Sequence, residues 1–180
     1  MAECMKTTTY DDGTAIPNVT DNYAYFHLTS PAYSWYKNDS ATYKNIYGAL
    51  YNWYVVGTYK VCPTGWHVPD STEWETMFNY LGGEQVAGGK MKEACSPYWW
   101  TPNVGATNIS GFSGIPSGSR DGYTDGNFYN LGEHCYSWSS TEYDATNARF
   151  GDLTYSDQII WMYDMTYKSH GFSIRCIKDE

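Results

Sequence analysis

Trp74, Met77, Phe78 and Leu81 recur at spacings of three and four among polar residues, so residues 70–83 predict a helix with one apolar stripe. Asp70 or Ser71 caps its start, Glu73 completes a capping box with Asp70, and Gly82-Gly83 ends it. A weaker helical pattern covers residues 84–94, and Gly88-Gly89 is expected to interrupt it. Residues 47–56, YGALYNWYVV, are apolar almost throughout, and periodicity leaves a buried strand and a short helix equally open. Residues 10–17 read as a hairpin, because Asp12-Gly13 is a type I′ turn signal. Gly, Ser, Asn and Asp then crowd residues 101–133, predicting a long loop region with short strands. Beyond it, residues 135–141, 148–155, 157–164 and 171–178 read as strands. With Phe172, Ile174 and Cys176 facing inward, alternation also puts Leu153, Ile159 or Ile160, and Met162 in the core. Two early helices, a loop-rich middle and late antiparallel strands make an α+β domain. No repeat, charge block or linker divides the chain, so residues 1–180 are expected to form one domain.

Composition narrows the partners. Aromatics make up 18% of the chain, with 19 Tyr and 8 Trp against 6 Phe. Tyr and Trp join an apolar body to a polar tip and suit half-exposed surfaces. A net charge of −9 with only 11 Lys and Arg argues against nucleic acid or an anionic membrane as partner. No run of about 18 apolar residues exists to insert into a bilayer. Residues 1–10, MAECMKTTTY, lack the basic start and apolar stretch of a secretory leader.

Five cysteines (Cys4, Cys62, Cys95, Cys135, Cys176) include no C-x-x-C pair, which disfavours a zinc ribbon or a thioredoxin-like site and permits one or two disulfides. "CPTGWHVPD", residues 62–70, places Cys62 five residues before His67 and raises a choice between chemistry and scaffold. Elsewhere, "RDGYTDGN" carries Asp121 and Asp125, read as turn-forming Asp-Gly steps in preference to calcium ligands. His134 beside Cys135 reads as incidental, and no G-x-S-x-G nucleophile elbow is present.

Taken in order and spacing, "YGALYNWY" (47–54), "CPTGWHVPDSTEW" (62–74), "YLGG" (80–83), "GSRDG" (118–122), "WSSTEY" (138–143) and "GFSIRC" (171–176) resemble the Fibrobacter succinogenes major paralogous domain over nearly the whole chain. Cys4 and Met5 depart from the family's opening. The resemblance implies a C-type-lectin-like fold, with two helices, a long loop region and a small twisted antiparallel sheet. It is related to formylglycine-generating-enzyme-like domains and found on secreted and surface proteins of Bacteroidetes and Fibrobacteres. It implies a Cys62–Cys176 disulfide, which makes the opening motif scaffold and leaves His67 to pack on the helix and hydrogen-bond the backbone. Copper-dependent catalysis in the relatives needs a late cysteine pair, and here Cys176 is committed to the disulfide. "TPNVG" (101–105) lacks the acidic or amide residue of a lectin calcium loop, and no Trp-Asn-Asp follows. No metal, cofactor or catalytic residue is therefore expected.

Between "WSSTEYDATNA" and "GFSIRC" lies "RFGDLTYSDQIIWMYDMTYKSH", where aromatics, acids and a histidine mix without a clear core period. Arg149, Phe150, Asp152, Thr154, Tyr155, Asp157, Trp161, Tyr163, Asp164, Tyr167 and His170 are the candidate ligand-binding residues. The resemblance adds that such domains serve as variable proteins of diversity-generating retroelements, which rewrite adenine-containing codons. Gly151, Ser156 and most of the candidates belong to the set reachable from an Asn codon. The expected function is a non-catalytic, extracytoplasmic, adhesin- or receptor-like module binding a protein or glycan at a cell surface, with any leader or anchor outside these residues. The alternative is an architectural domain of a surface assembly, with an enzyme of the formylglycine-generating type a distant third.

Overall fold

Short helices fill the first half of the chain and a three-stranded antiparallel sheet fills the second. The computed structural model describes residues 3–179. In chain order, helix α1 (Asn22–Phe26) precedes strand β1 (Tyr33–Ser34), helix α2 (Ser40–Tyr47), strand β2 (Leu50–Tyr51) and helix α3 (Trp53–Val56). Strand β3 (Trp66–His67), helix α4 (Ser71–Tyr80) and helix α5 (Glu84–Met91) follow, then β4 (Ser119–Arg120) and β5 (Phe128–Tyr129). The main sheet comprises β6 (His134–Glu142), β7 (Asn147–Thr154) and β8 (Ile160–Tyr167), and β9 (Ile177–Lys178) returns to pair with β3.

Local chemistry accounts for most of these elements. In α4, Asp70 accepts from the Glu73 N–H at 2.9 Å and Glu73 accepts from the Asp70 N–H at 2.8 Å, completing the capping box. Residues 47–56 resolve into both alternatives: β2 first, then α3. The Asp12 turn forms, with Tyr10 N–H donating to the Thr14 carbonyl at 2.8 Å. The Gly13 N–H donates to the Tyr10 carbonyl at 3.0 Å, so the central pair is Asp11-Asp12, neither with positive φ, and this is not the expected type I′ turn on Asp12-Gly13.

Three expectations need correction. First, the helices number more than two. Helix α2 escapes an apolar-stripe search because Tyr47 is its one buried residue; its signal lies in the caps, Asp39 accepting from Thr42 N–H at 3.1 Å and Gly48 at φ 77°. Second, Gly88-Gly89 does not interrupt α5. A Cβ at Gly88 would run into the Ile159 carbonyl, and one at Gly89 into the Gly105 carbonyl, so the glycines let main chain touch main chain. Third, residues 171–176 form no continuous ladder. Gly171 bridges Arg120, Phe172 bridges Tyr51 and Ser173 bridges Ser137, so the segment changes partner at every residue.

The main sheet separates two cores. On one face Trp138, Phe150, Phe172, Ile174, Trp53 and the Cys62–Cys176 disulfide pack together. On the other, Cys135, Leu153 and Ile160 meet Trp74, Phe78, Leu81 and Met91 from the helices, with Met162 packed against them in part. Leu153 and Ile160 take their expected inward places, and Ile159 is only half-buried. Buried tryptophans satisfy their indole N–H groups on main chain: Trp138 on the Tyr51 carbonyl at 2.7 Å and Trp53 on the Ser139 carbonyl at 2.9 Å.

Two buried cations tie down segments without regular structure. Lys92 donates to the carbonyls of Val104, Thr154 and Asp157 at 2.6–2.8 Å. Arg120 donates to the carbonyls of Val19, Thr20, Asp21 and Gly126 and to Asn22 Oδ1, with its guanidinium 3.8 Å from the Tyr25 ring centroid and 4.7 Å from that of Phe128.

Candidate functional site

Cross-strand partners lie on the same face of a sheet. The register sets Trp138 opposite Phe150, Tyr136 opposite Asp152, Phe150 opposite Tyr163, and Asp152 opposite Trp161. One face is therefore aromatic across all three strands. Inside, Trp138, Tyr136 and Phe150 ring the Phe172 side chain at centroid distances of 4.6, 4.9 and 5.0 Å. Outside, Tyr163 lies flat on Phe150 at 4.9 Å and 14°. The layer thus runs from a sealed interior to an open outer strand.

On β8, Trp161 is 41% exposed, Tyr163 44%, Met165 59% and Tyr167 37%. Tyr123, from the loop region, is 58% exposed and stacks on Tyr167 at 4.1 Å and 7°. Of the sequence candidates, Trp161, Tyr163 and Tyr167 are exposed here, and Asp164 is exposed beside Arg149, turned away from the Tyr163 ring. Phe150, Asp152 and Thr154 are buried behind it, because alternation in the central strand turns them onto covered faces. His170 is also withdrawn: its ring parallels Phe172 at 5.7 Å, and its Nδ1 accepts from the Gly122 N–H at 2.9 Å. Burial lowers its pKa, in keeping with a neutral acceptor ring. Tyr155 leans on Trp100 at 5.9 Å, and half-buried Asp157 accepts from the Ile159 N–H at 2.8 Å and the Trp161 indole at 3.2 Å. Half-buried Arg149 brings its Nε to 3.4 Å from Asp164 Oδ1. Sequence reasoning missed Met165 and Tyr123; the latter sits between two Asp-Gly steps, where only the fold brings it to β8.

The polar groups beneath the face are paired. His134 Nδ1 lies 2.9 Å from Asp152 Oδ2, so His134 is not incidental as expected. Burial raises the Asp152 carboxyl above its usual range. Burial pulls the other way on His134, but the hydrogen bond and charge of Asp152 outweigh it and hold the imidazole pKa above its ordinary value. By NMR titration, His134 is expected to titrate above about 6.5. In Asp152→Asn it should fall below that value, since burial then acts without the opposing charge. A wild-type midpoint below 6.5 would sink this pairing.

Asp121 Oδ2 accepts the N–H groups of Tyr123, Thr124 and Asp125 and the Thr124 hydroxyl, while Asp125 accepts from Asn127 and from the Tyr129 hydroxyl. Both carboxylates shape the loop that presents Tyr123. Among the described residues, no three His, Cys, Asp or Glu side chains cluster to hold a metal ion. Cys62 and Cys176 are joined, with Cα atoms 5.9 Å apart. His67 hydrogen-bonds two carboxylates, Glu73 at 2.8 Å and Asp179 at 2.6 Å, and not the backbone as expected. The hydrogen bond to Asp179 and then that to Glu73 raise its pKa. A cleft of about 850 Å³ lies away from the aromatic face beside α4. Its charged groups hold main chain: Lys90 bonds the Leu81 carbonyl, Glu73 caps α4, and Arg175 bonds the carbonyls of Phe112 and Ser113.

The family model described as the Fibrobacter succinogenes major domain matches residues 1–178. The chain belongs to this family. No curated protein and no solved structure gives a significant match. In this Fibrobacter succinogenes major domain, the motifs that carry the resemblance are structural: Trp138, Arg120, Phe172 and the two joined cysteines are all interior.

Proposed function

We propose that this domain is a non-catalytic ligand-binding module of the cell surface, displaying the outer strand β8 to a protein or glycan partner. The observation that carries the reading is the concentration of four exposed large apolar side chains, Trp161, Tyr163, Met165 and Tyr167, within seven residues of one edge strand, with exposed Tyr123 stacked on Tyr167. Open aromatic rows of this kind supply contact area at low entropic cost. The α+β architecture, with its small antiparallel sheets and a disulfide joining the residue before Pro63 to the last strand region, supports a C-type-lectin-like scaffold. The disulfide also supports an oxidising location. Among the described residues no helix is long and apolar enough to cross a membrane. Of the three free thiols, Cys4 and Cys135 are buried, and burial pushes the Cys135 thiol up to about 12; Cys95 is exposed.

The test is a printed array of glycans and purified extracellular matrix proteins, probed with the wild type and with Trp161→Ala, Tyr163→Ala and Tyr167→Ala. Central aromatic anchors contribute about 2 kcal/mol, so each substitution should weaken the array signal roughly 30-fold. Exposed substitutions change stability by about 0.5 kcal/mol, so melting temperatures should barely move. Undiminished signal in all three variants, or unfolding of all three, would defeat the reading.

A further inference from the structure

Strand β8 is the outer strand of its sheet. Its inner edge pairs with β7 from Leu153↔Ile160 to Asn147↔Tyr167. Among the described residues, no backbone group outside this ladder bonds any N–H or carbonyl of residues 160–166. Alternate N–H and carbonyl groups along an edge point outward and offer a template for another strand. Edges of this kind are ordinarily blocked by Lys, Pro or extreme shortness. β8 has eight residues and neither Lys nor Pro. The one irregularity is a register shift: three steps in β8, Tyr163 to Thr166, oppose two in β7, Phe150 to Ala148. It leaves a regular edge over Ile160–Tyr163 and closes it at Asp164.

The chemistry beside that edge selects the occupant. A cleft of 220 Å³ next to it is lined by Glu75, Phe78, Glu84, Met162 and Asp164, with Arg149 as its cation. Arg149 Nε makes only a loose 3.4 Å contact with Asp164 and no hydrogen bond, so its hold on that carboxylate is weak. Lys168, the next cation along the chain, is buried on the Trp53 ring and paired with Glu142. The edge thus presents acids and aromatic rings. A second copy fits poorly. The β8 of a second copy would bring an acid, Asp164, and no Lys or Arg to this edge, on chains that each carry a net charge of −9.

We infer that β8 accepts a fourth strand, an extended basic segment of a partner protein. Its main chain pairs with the outer edge of Ile160–Tyr163. Its Lys or Arg side chains, all on one face of the added strand, meet the Asp164, Glu75 and Glu84 carboxylates, and the apolar side chains of its other face lie against the Trp161 and Tyr163 rings. This rests on the reading of β8 as the ligand-binding strand, and it gives that strand a ligand class and a binding mode.

The probes are three synthetic octapeptides: alternating Lys-Val, alternating Glu-Val, and Lys-Val with its pairing amides N-methylated. Each is added to the isotope-labelled domain, and binding and amide hydrogen exchange are followed by NMR. The Lys-Val peptide should bind and slow exchange of the outward amides within residues 160–163 at least 10-fold. The Glu-Val peptide should do neither, N-methylation should abolish the effect, and Asp164→Asn with Glu84→Gln should weaken binding about 10-fold. Lys-Val binding that ignores N-methylation, protects no amide and yet is lost in Trp161→Ala would overturn strand addition and leave the aromatic surface standing. Strand addition unaffected by Trp161→Ala and Tyr163→Ala would instead sink the aromatic reading alone. No response in β8 to any peptide, or a dimer by sedimentation with β8 amides protected without peptide, would overturn the proposal.

Discussion

Replacing Arg120 by Met is expected to remove about 4 kcal/mol of stability, a large share of what a single domain possesses. The guanidinium is fully buried and hydrogen-bonds the carbonyls of Val19, Thr20, Asp21 and Gly126 together with Asn22 Oδ1. Methionine fills similar volume but leaves these acceptors unpaired, at about 1–3 kcal/mol for each one that water cannot reach. It also forfeits the cation–π contacts with Tyr25 and Phe128. Arg120→Lys should recover little, because a point-like ammonium cannot span acceptors spread over two chain segments. At roughly 2–4 °C per kcal/mol for a chain of this size, the Met variant should melt about 10 °C below wild type. Urea unfolding checks the magnitude, and a loss under about 1 kcal/mol would refute the clamp.

Removing the disulfide should cost a similar amount by another route. Cys62 and Cys176 are 114 residues apart. In the chain-entropy account, a cross-link closing about 100 residues restricts the unfolded ensemble by about 4.7 kcal/mol, and relaxation of the native state lowers this. Cys62→Ser with Cys176→Ser is therefore expected to lose about 3–5 kcal/mol, and the reduced wild type nearly as much. Peptide mapping without reduction should recover the two residues cross-linked. Equal stability of oxidised and reduced protein would contradict this assignment.

Helix α4 was legible because its stripe and capping box are local: residues three and four apart decide them. The Cys62–Cys176 pairing was legible only through resemblance, since five cysteines alone leave the pairing open. Helix α2 was hidden because its caps, and no apolar stripe, define it. The candidate surface was half legible. Alternation placed Leu153 and Ile160 inside, but a central strand is covered on both faces, and that hid the burial of Phe150, Asp152 and Thr154. Tyr123 joins Tyr167 only through a loop shaped by the Asp121 carboxylate, a relation between positions more than forty residues apart that no local period encodes.

The contact of α5 with the entry to β8 bears on how this surface can change. Gly88 and Gly89 meet the main chain of Ile159 and Gly105, and the Gly89 N–H donates to the Gln158 carbonyl at 3.0 Å. What fixes the start of the strand is thus backbone against backbone, which is indifferent to the side chains farther along. Exchanging Trp161, Tyr163 or Tyr167 alters what the domain touches without moving the rail that carries them. Substituting Gly88 would derail the strand while leaving every displayed residue in place in the sequence. Heritable variation at this surface is cheap at the outward positions and forbidden at two glycines some seventy residues earlier.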